Sequence, residues 1–326
     1  SGFNQNMPEP DAQEITADKR DAYAAQKDTV RVATDTIPHV DSIPQSADEP
    51  EPDMVEASDQ AYQQVQASLQ DFYIPEDVMN PPVILWIHGG GWKDLNRKWC
   101  LVMPQLTRGY AICSVDYRYS DEDIFPAQML DLKDALLFVK ENGEKYGYDG
   151  SKIILSGDSA GGHLCSLLGV SAGNRDWEQP GKDYTVQAVV DFCGPCQLGG
   201  LSDTREDGFV LEQLLGTRSD SKAFRGRAAL ASPITYINGT EPPFLILHGS
   251  VDPTVSPNQS RALRNALEAA GVPVHMYLVP GGVHGLSGVL IDQIVQEFLD
   301  YYVKGKTTVI TPQLTSEHDR TIPVNK

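Results

Sequence analysis

The segment that most constrains this chain is Ile154–His163, an apolar run that enters a glycine-flanked turn and leaves as a helix. Ser159 stands at the turn, with Gly157 two residues before it and Gly161 two residues after it. A strand that bends sharply into a helix leaves almost no room for side chains at those two positions. The pattern predicts that Ser159 points outward at the amino end of a helix, where negative charge is stabilised. An ordinary strand-to-helix turn is the alternative.

The length and charge of the chain restrict its class. Its 326 residues, 40% of them hydrophobic, suffice for a large α/β domain with a sizeable core. No apolar run approaches the roughly 20 residues that a membrane-spanning helix needs. The formal net charge of −19 repels other polyanions at long range. We therefore expect no nucleic-acid partner and no membrane span.

The five cysteines are too few, and odd in number, to indicate a disulfide framework. Cys193 and Cys196 form a C-x-x-C pattern, which in redox proteins opens a helix after an early strand. Here the pattern lies deep in the chain, so a redox role is disfavoured, while a local disulfide stays open. The odd cysteine count and the lack of a visible signal peptide slightly favour the cytoplasm over secretion.

The pattern of the chain divides it into three parts. Residues 1–28 form an acidic, polar N-terminal extension, and residues 305–326 form a polar tail. Over residues 29–304, short apolar runs alternate with helical spacings, one of them a helix over about 97–108. Residues 194–243 hold short helical patterns without a strand and are predicted to form a cap. The alternation predicts a mostly parallel sheet with helices on both faces, and chemistry at the carboxyl ends of its strands.

A serine nucleophile needs a base, and His284 is the best placed of the seven histidines. It lies in a glycine-rich loop directly after the last predicted strand, where an imidazole can reach the oxygen of Ser159. We expect His163, one helical turn after the serine, to pack in the core. His88 and His248 end strands and are expected to make structural hydrogen bonds. If the pKa of the His284 imidazole is unperturbed, activity should decrease as the pH drops below about 6.5.

The base in turn needs a carboxylate that fixes its tautomer and stabilises the imidazolium. Asp252 is the only acid in the loop that follows the apolar strand Phe244–Gly249. The chain order Ser159, Asp252, His284 is the order of α/β-hydrolase triads. A solvated turn residue is the alternative reading of Asp252.

Acyl transfer also needs donors for the oxyanion that develops on the substrate. Three glycines follow His88 at the end of a predicted strand, and we expect the N–H groups of Gly90 and Gly91 to act with that of Ala160. One such donor contributes about 3 to 4 kcal/mol to transition-state stabilisation. Trp92 and the cap are expected to shape the substrate pocket. A plain flexible turn is the alternative for the glycines.

Several separate segments resemble the hormone-sensitive-lipase-like esterases of the α/β-hydrolases, in particular their feruloyl or acetyl-xylan esterase-like (BD-FAE type) branch. The resemblance implies an α/β-hydrolase fold and a carboxylic ester hydrolase with no metal and no organic cofactor. Cys193 and Cys196 depart from it, because this family usually has Tyr-Gly-Pro and a small polar residue there. The segments that carry the resemblance are His88–Trp92, Val115–Tyr119, Phe125–Gln128, Gly157–Leu164, Ser232–Tyr236, His248–Asp252 and Gly282–Gly285.

The sequence thus predicts a serine ester hydrolase that forms an acyl-enzyme on short-chain or carbohydrate-linked (acetyl or feruloyl) esters. Its expected partner is a small-molecule or oligosaccharide ester, and a homodimer is allowed. A serine peptidase of the prolyl-oligopeptidase type is one alternative, although too few residues precede Val83 for the propeller usual in that class. A catalytically silent binding protein is the other, although such proteins tend to lose a triad residue.

Overall fold

The computed structural model describes residues 30–37, 68–200, 207–307 and 320–321. The predicted extension over residues 1–28 and most of the predicted tail over 305–326 lie outside the described residues. The division of the chain into extension, central domain and tail therefore stays a prediction.

The strands of the described residues form one nine-stranded sheet. The strands are β1 (Val30–Ile37), β2 (Ser68–Pro75), β3 (Pro82–Ile87), β4 (Ala111–Val115), β5 (Asp149–Asp158), β6 (Ala188–Phe192), β7 (Phe244–Gly249), β8 (Val274–Val279) and β9 (Arg320–Thr321). Their order across the sheet is β1-β2-β4-β3-β5-β6-β7-β8-β9. Two pairs of neighbouring strands are antiparallel, β1 with β2 and β2 with β4. All other neighbouring strands in this sheet are parallel. The predicted mostly parallel sheet is confirmed.

Helices connect the parallel strands, as the alternating pattern predicts. The α-helices of the described residues are α1 (Ala127–Glu141), α2 (Gly143–Tyr146), α3 (Ala160–Val170), α4 (Asp207–Leu215), α5 (Phe224–Leu230), α6 (Pro257–Ala269) and α7 (Val289–Tyr302). Helices α4 and α5 lie in the predicted cap, whose described part contains no strand. Among the described helices, none is long and apolar enough to cross a membrane.

The helix predicted over 97–108 is wrong for its first half, because only a 3-10 helix over Met103–Arg108 forms. The N–H of Arg97 donates instead to Asp116 over 2.7 Å, and its carbonyl accepts from the hydroxyl of Ser114 over 2.6 Å. Contacts with the end of β4 thus override the local helical preference.

The sheet separates two hydrophobic cores, because successive strand residues point to opposite faces. Leu85 and Ile87 of β3 join the core formed with α1, α3 and α6. Ile84 and Trp86 join the core formed with α7. Both faces of the central strands are thereby buried, which explains why they read as short continuous apolar runs.

The order of the sheet reverses at β3, which has β4 on one side and β5 on the other. Connections that leave neighbouring strands in opposite directions open a crevice at the carboxyl ends of those strands. Ile87 at the end of β3 pairs with Gly157 near the end of β5. The glycine loop after β3 therefore lies beside the turn that carries Ser159.

Candidate active site

Ser159 occupies the sharp turn that the sequence predicts. Its φ of 54° is in the left-handed region, and α3 begins at the next residue. A Cβ atom at Gly161 would lie 2.0 Å from the carbonyl oxygen of Ile87, and one at Gly157 would lie 2.3 Å from that of Gly161. No side chain fits at either glycine, so the close approach of β3, β5 and α3 depends on both. Ser159 is half-buried.

The glycine loop after β3 is a tight turn. Gly90 has a φ of 99°, and its carbonyl accepts hydrogen bonds from the N–H groups of Lys93 and Asp94. A Cβ built at Gly91 would lie 3.3 Å from Val210 of α4, so this cap helix lies over the loop. The assignment of the Gly90, Gly91 and Ala160 N–H groups as oxyanion donors stays a prediction.

Asp158 connects the glycine loop to the turn that carries Ser159. Its carboxylate is buried and accepts from the N–H of Gly89 over 2.9 Å and from the indole of Trp99 over 3.2 Å. Burial raises the pKa of Asp158 to about 6, although both hydrogen bonds oppose this shift. Asp158 is not among the site residues predicted from the sequence. The available signal was an acid at the end of an apolar strand, immediately before the serine.

Trp92 lies in the core with 5% of its surface exposed. Its indole N–H donates to Nδ1 of His163 over 3.0 Å, and Nε2 of the same imidazole lies 2.6 Å from the carbonyl oxygen of Ala231. His163, expected only to pack, therefore also connects the glycine loop to the cap. The role of Trp92 in shaping the substrate pocket stays a prediction.

Asp252 and His284 are brought together by the adjacent strands β7 and β8. Nδ1 of His284 donates to Oδ2 of Asp252 over 2.7 Å. The other carboxylate oxygen accepts from the N–H groups of Thr254 and Val255, over 2.8 and 3.0 Å. The side chain of Asp252 is fully buried, so it is not a solvated turn residue.

The pKa shifts of this pair indicate that Asp252 carries a negative charge and that the imidazole of His284 is more basic than usual. Burial alone would raise the pKa of Asp252, but hydrogen bonds with His248 and His284 hold it well below the usual 3.8. Burial would lower the pKa of His284, but Asp252 and the thiol of Cys193 outweigh it and raise the pKa above 6.5. The pair therefore keeps its proton on the imidazole.

His248 and His88 make the structural hydrogen bonds that were expected of them. Nδ1 of His248 lies 2.6 Å from the hydroxyl of Ser260, and its Nε2 lies 2.8 Å from the carbonyl of Val255. Nδ1 of His88 lies 2.7 Å from the carbonyl of Gly89. Both imidazoles thus order loops at the same sheet edge.

Cys193 lies against His284, which the sequence did not reveal. Ligand atoms of Cys193, Asp252 and His284 all lie within 4.8 Å of one another. Cys193 is 1% exposed, and burial raises the pKa of its thiol. Cys193 belongs to the core on the α7 face, whereas Cys196 belongs to the core on the opposite face. Both thiols are free, so the local disulfide left open by the sequence is not formed.

A short chain of contacts relates Ser159 to His284. The N–H of Ser159 donates to the carbonyl of Phe192 over 2.8 Å, and the next residue, Cys193, contacts the imidazole. Asp158, beside the serine, also interacts electrostatically with His284. The serine turn, the buried acid–base pair and the glycine loop thus all follow strand ends at one edge of the sheet, an arrangement that suits acyl transfer.

Comparison with known proteins supports the same conclusion. A family model described as BD-FAE matches residues 70–267. Esterase LipQ of Mycobacterium tuberculosis is 35% identical over 214 residues, covering 63% of this chain and 50% of LipQ. Esterase LipC of the same bacterium is 31% identical over 235 residues, covering 68% of this chain and 57% of LipC. The chain thus spans about half the length of the curated relatives it matches.

A solved structure described as a truncated form of a carbohydrate esterase from gut microbiota is also similar. The two share 30% sequence identity with a TM-score of 0.68, and the match covers 72% of this chain and 90% of the other. The similarity therefore includes nearly all of that esterase.

Proposed function

The chain belongs to the BD-FAE family and carries an α/β-hydrolase domain of the carboxylesterase type, and we propose that it hydrolyses carboxylic esters through Ser159, His284 and Asp252. The hydrogen bond of 2.7 Å between His284 and the buried, charged Asp252 carries this proposal. It orients an imidazole at the same edge of the sheet that carries Ser159.

The proposed reaction proceeds in two steps. The oxygen of Ser159 attacks the ester carbonyl as its proton passes to His284, and Asp252 stabilises the imidazolium that forms. The N–H groups of Gly90, Gly91 and Ala160 stabilise the oxyanion. His284 then protonates the departing alcohol and activates the water that cleaves the acyl-enzyme.

The proposed substrates are short-chain esters or acetyl and feruloyl esters of carbohydrates. Two observations support this class. One is the similarity to a protein described as a carbohydrate esterase. The other is the position of Val210 against Gly91, which limits the room for an acyl chain beside the glycine loop.

Replacement of the serine tests the mechanism. Ser159→Ala should lower the turnover of p-nitrophenyl acetate on the order of 10⁶-fold and abolish labelling by a fluorophosphonate. Ser156→Ala is the matched control, because its hydroxyl donates to the carbonyl of Val190 inside the sheet over 3.0 Å. Near-normal hydrolysis by the folded Ser159→Ala variant would contradict the proposal.

Contact with His284 makes Cys193 a second candidate nucleophile. Its burial and raised pKa favour an unreactive neutral thiol. Hydrolysis that survives Ser159→Ala but is lost in Cys193→Ser would identify the thiol instead. Parallel assay of an aminoacyl-proline anilide tests the peptidase alternative, for which we expect no turnover.

A further inference from the structure

We propose that Cys193, Asp252 and His284 form a binding site for a soft divalent metal ion such as Zn²⁺, and that the bound ion inhibits hydrolysis. One ligand atom from each residue lies within 4.8 Å of the other two. The inhibition rests on the proposed function, because it requires His284 to be the base. Metal binding itself requires only the three side chains.

The geometry is close to that of a tetrahedral zinc site. Zinc binds sulfur at about 2.3 Å and nitrogen or oxygen at about 2.0 to 2.2 Å, so its ligand atoms lie about 3.3 to 3.7 Å apart. The nitrogen and oxygen of His284 and Asp252, now 2.7 Å apart, would need to separate slightly. The thiol sulfur, which lies within 4.8 Å of both atoms, would need to approach by at most about 1 Å.

The chemistry of the three groups selects the ion. A thiolate, an imidazole and a carboxylate together suit Zn²⁺ or Co²⁺, whereas Mg²⁺ and Ca²⁺ prefer oxygen ligands. The N–H groups of Thr254 and Val255 already orient the carboxylate of Asp252, as outer hydrogen bonds do in metal sites. The side chain of His284 is 25% exposed, which gives the ion a path from the crevice and leaves a fourth position for water.

Binding changes the protonation of the site but transfers no electrons. The thiol of Cys193 releases its proton to solvent as the metal–sulfur bond forms, and the imidazole binds as the neutral ring. The ion replaces the proton that Nδ1 of His284 donates to Asp252, and this proton is also released to solvent. With the metal on Nδ1, the neutral ring carries its proton on Nε2, so it cannot accept the proton of Ser159 and acylation stops.

Cobalt spectroscopy tests the site without relying on activity. Titration with Co²⁺ should give a near-ultraviolet thiolate-to-cobalt charge-transfer band in the wild type and in Ser159→Ala. Cys193→Ser should lose the band. Cys196→Ser should keep it, because that equally buried thiol contacts the carbonyl of Gln259 instead. If Cys193→Ser fails to fold, His284→Gln provides the second variant expected to lose the band.

Inhibition is measured as the ratio of hydrolysis rates with and without Zn²⁺, so that differences in basal rate cancel. Zn²⁺ should inhibit the wild type reversibly, with recovery on adding a chelator. The concentration for half inhibition should rise at least about tenfold in Cys193→Ser and stay unchanged in Cys196→Ser.

Three results would overturn the proposal: no cobalt band, a band that persists in Cys193→Ser, or full hydrolysis at saturating metal. A wild type that hydrolyses no ester without metal would refute the proposed function instead. The cobalt spectra would still decide whether the site exists.

Discussion

The indole nitrogen of Trp92 and Nδ1 of His163 are joined by a hydrogen bond of 3.0 Å that links the glycine loop to α3. Burial lowers the pKa of His163 to about 4, so the imidazole is neutral at physiological pH. Nδ1 then accepts from the indole, and Nε2–H donates to the carbonyl of Ala231. One neutral ring thus holds the glycine loop, the helix behind Ser159 and the end of α5 together.

Trp92→Phe should lower both the unfolding free energy of the protein and its rate of ester hydrolysis. The change leaves the buried Nδ1 of His163 without its donor, which costs about 1 to 3 kcal/mol of unfolding free energy. It also loosens the glycine loop, so kcat should fall more than KM changes. Urea denaturation and steady-state kinetics measure the two effects. Trp177→Phe, beside Phe125 and Tyr236, should leave kcat near the wild-type value; an equal loss in both variants would contradict the link.

Two glycine-to-alanine changes in helices should have opposite effects on stability. Gly161→Ala places a Cβ atom 2.0 Å from the carbonyl of Ile87, which should destabilise by about 3 kcal/mol or more. Gly226→Ala in α5 meets nothing within 4 Å and should stabilise by about 0.5 to 1 kcal/mol. Thermal or urea denaturation measures the change in stability of each variant, and we expect the two changes to have opposite signs. A tolerated alanine at Gly161 would contradict the close approach of α3 and β3.

Asp252→Asn should lower kcat on the order of 10⁴-fold while the protein stays folded. The amide can still accept from the N–H of Thr254, but it removes the charge that stabilises the imidazolium of His284. Circular dichroism checks the fold, and turnover of p-nitrophenyl acetate checks the rate. A loss of less than tenfold would argue against Asp252 as the partner of the base.

The acidic limb of the kcat/KM profile should lie above pH 6.5, higher than the sequence alone predicts. His284 accepts the serine proton only when neutral, so the rate falls as the pH falls through its pKa. Asp252 and Cys193 raise that pKa above 6.5. Removing the charge in Asp252→Asn should therefore move the limb to lower pH. If the acidic limb stays at the same pH in this variant, a group other than His284 is responsible for it.

Val210→Ala should shift preference toward longer acyl chains. Val210 lies against Gly91, so shortening it opens space beside the proposed oxyanion donors. The ratio of kcat/KM for butyrate over acetate should rise about tenfold, as expected for one or two methylene groups in an apolar pocket. A series of p-nitrophenyl esters measures the ratio, and Val251→Ala, exposed on the surface, is the control.

The residues proposed for catalysis were predictable because their signals are local. Gly157 and Gly161 mark the turn through steric need, and Asp252 and His284 each follow an apolar strand directly. The contact between Cys193 and His284 was not predictable, because it depends on which strands become neighbours. Periodicity gives the strands but not their order in the sheet. Arg97 shows the same limit. Its partner Asp116 directly follows β4, and the hydrogen bond between them takes the place of the expected helical turn.

The arrangement of the acid and the base also bears on how the protein acquires its activity. Asp252 and His284 are 32 residues apart in the chain, and α6 and β8 lie between them. The hydrogen bond between them forms only after β8 has docked beside β7, which closes a long loop and is slower than local helix formation. During refolding, we therefore expect helical circular dichroism to recover first and ester hydrolysis last, so that turnover reports completion of the sheet.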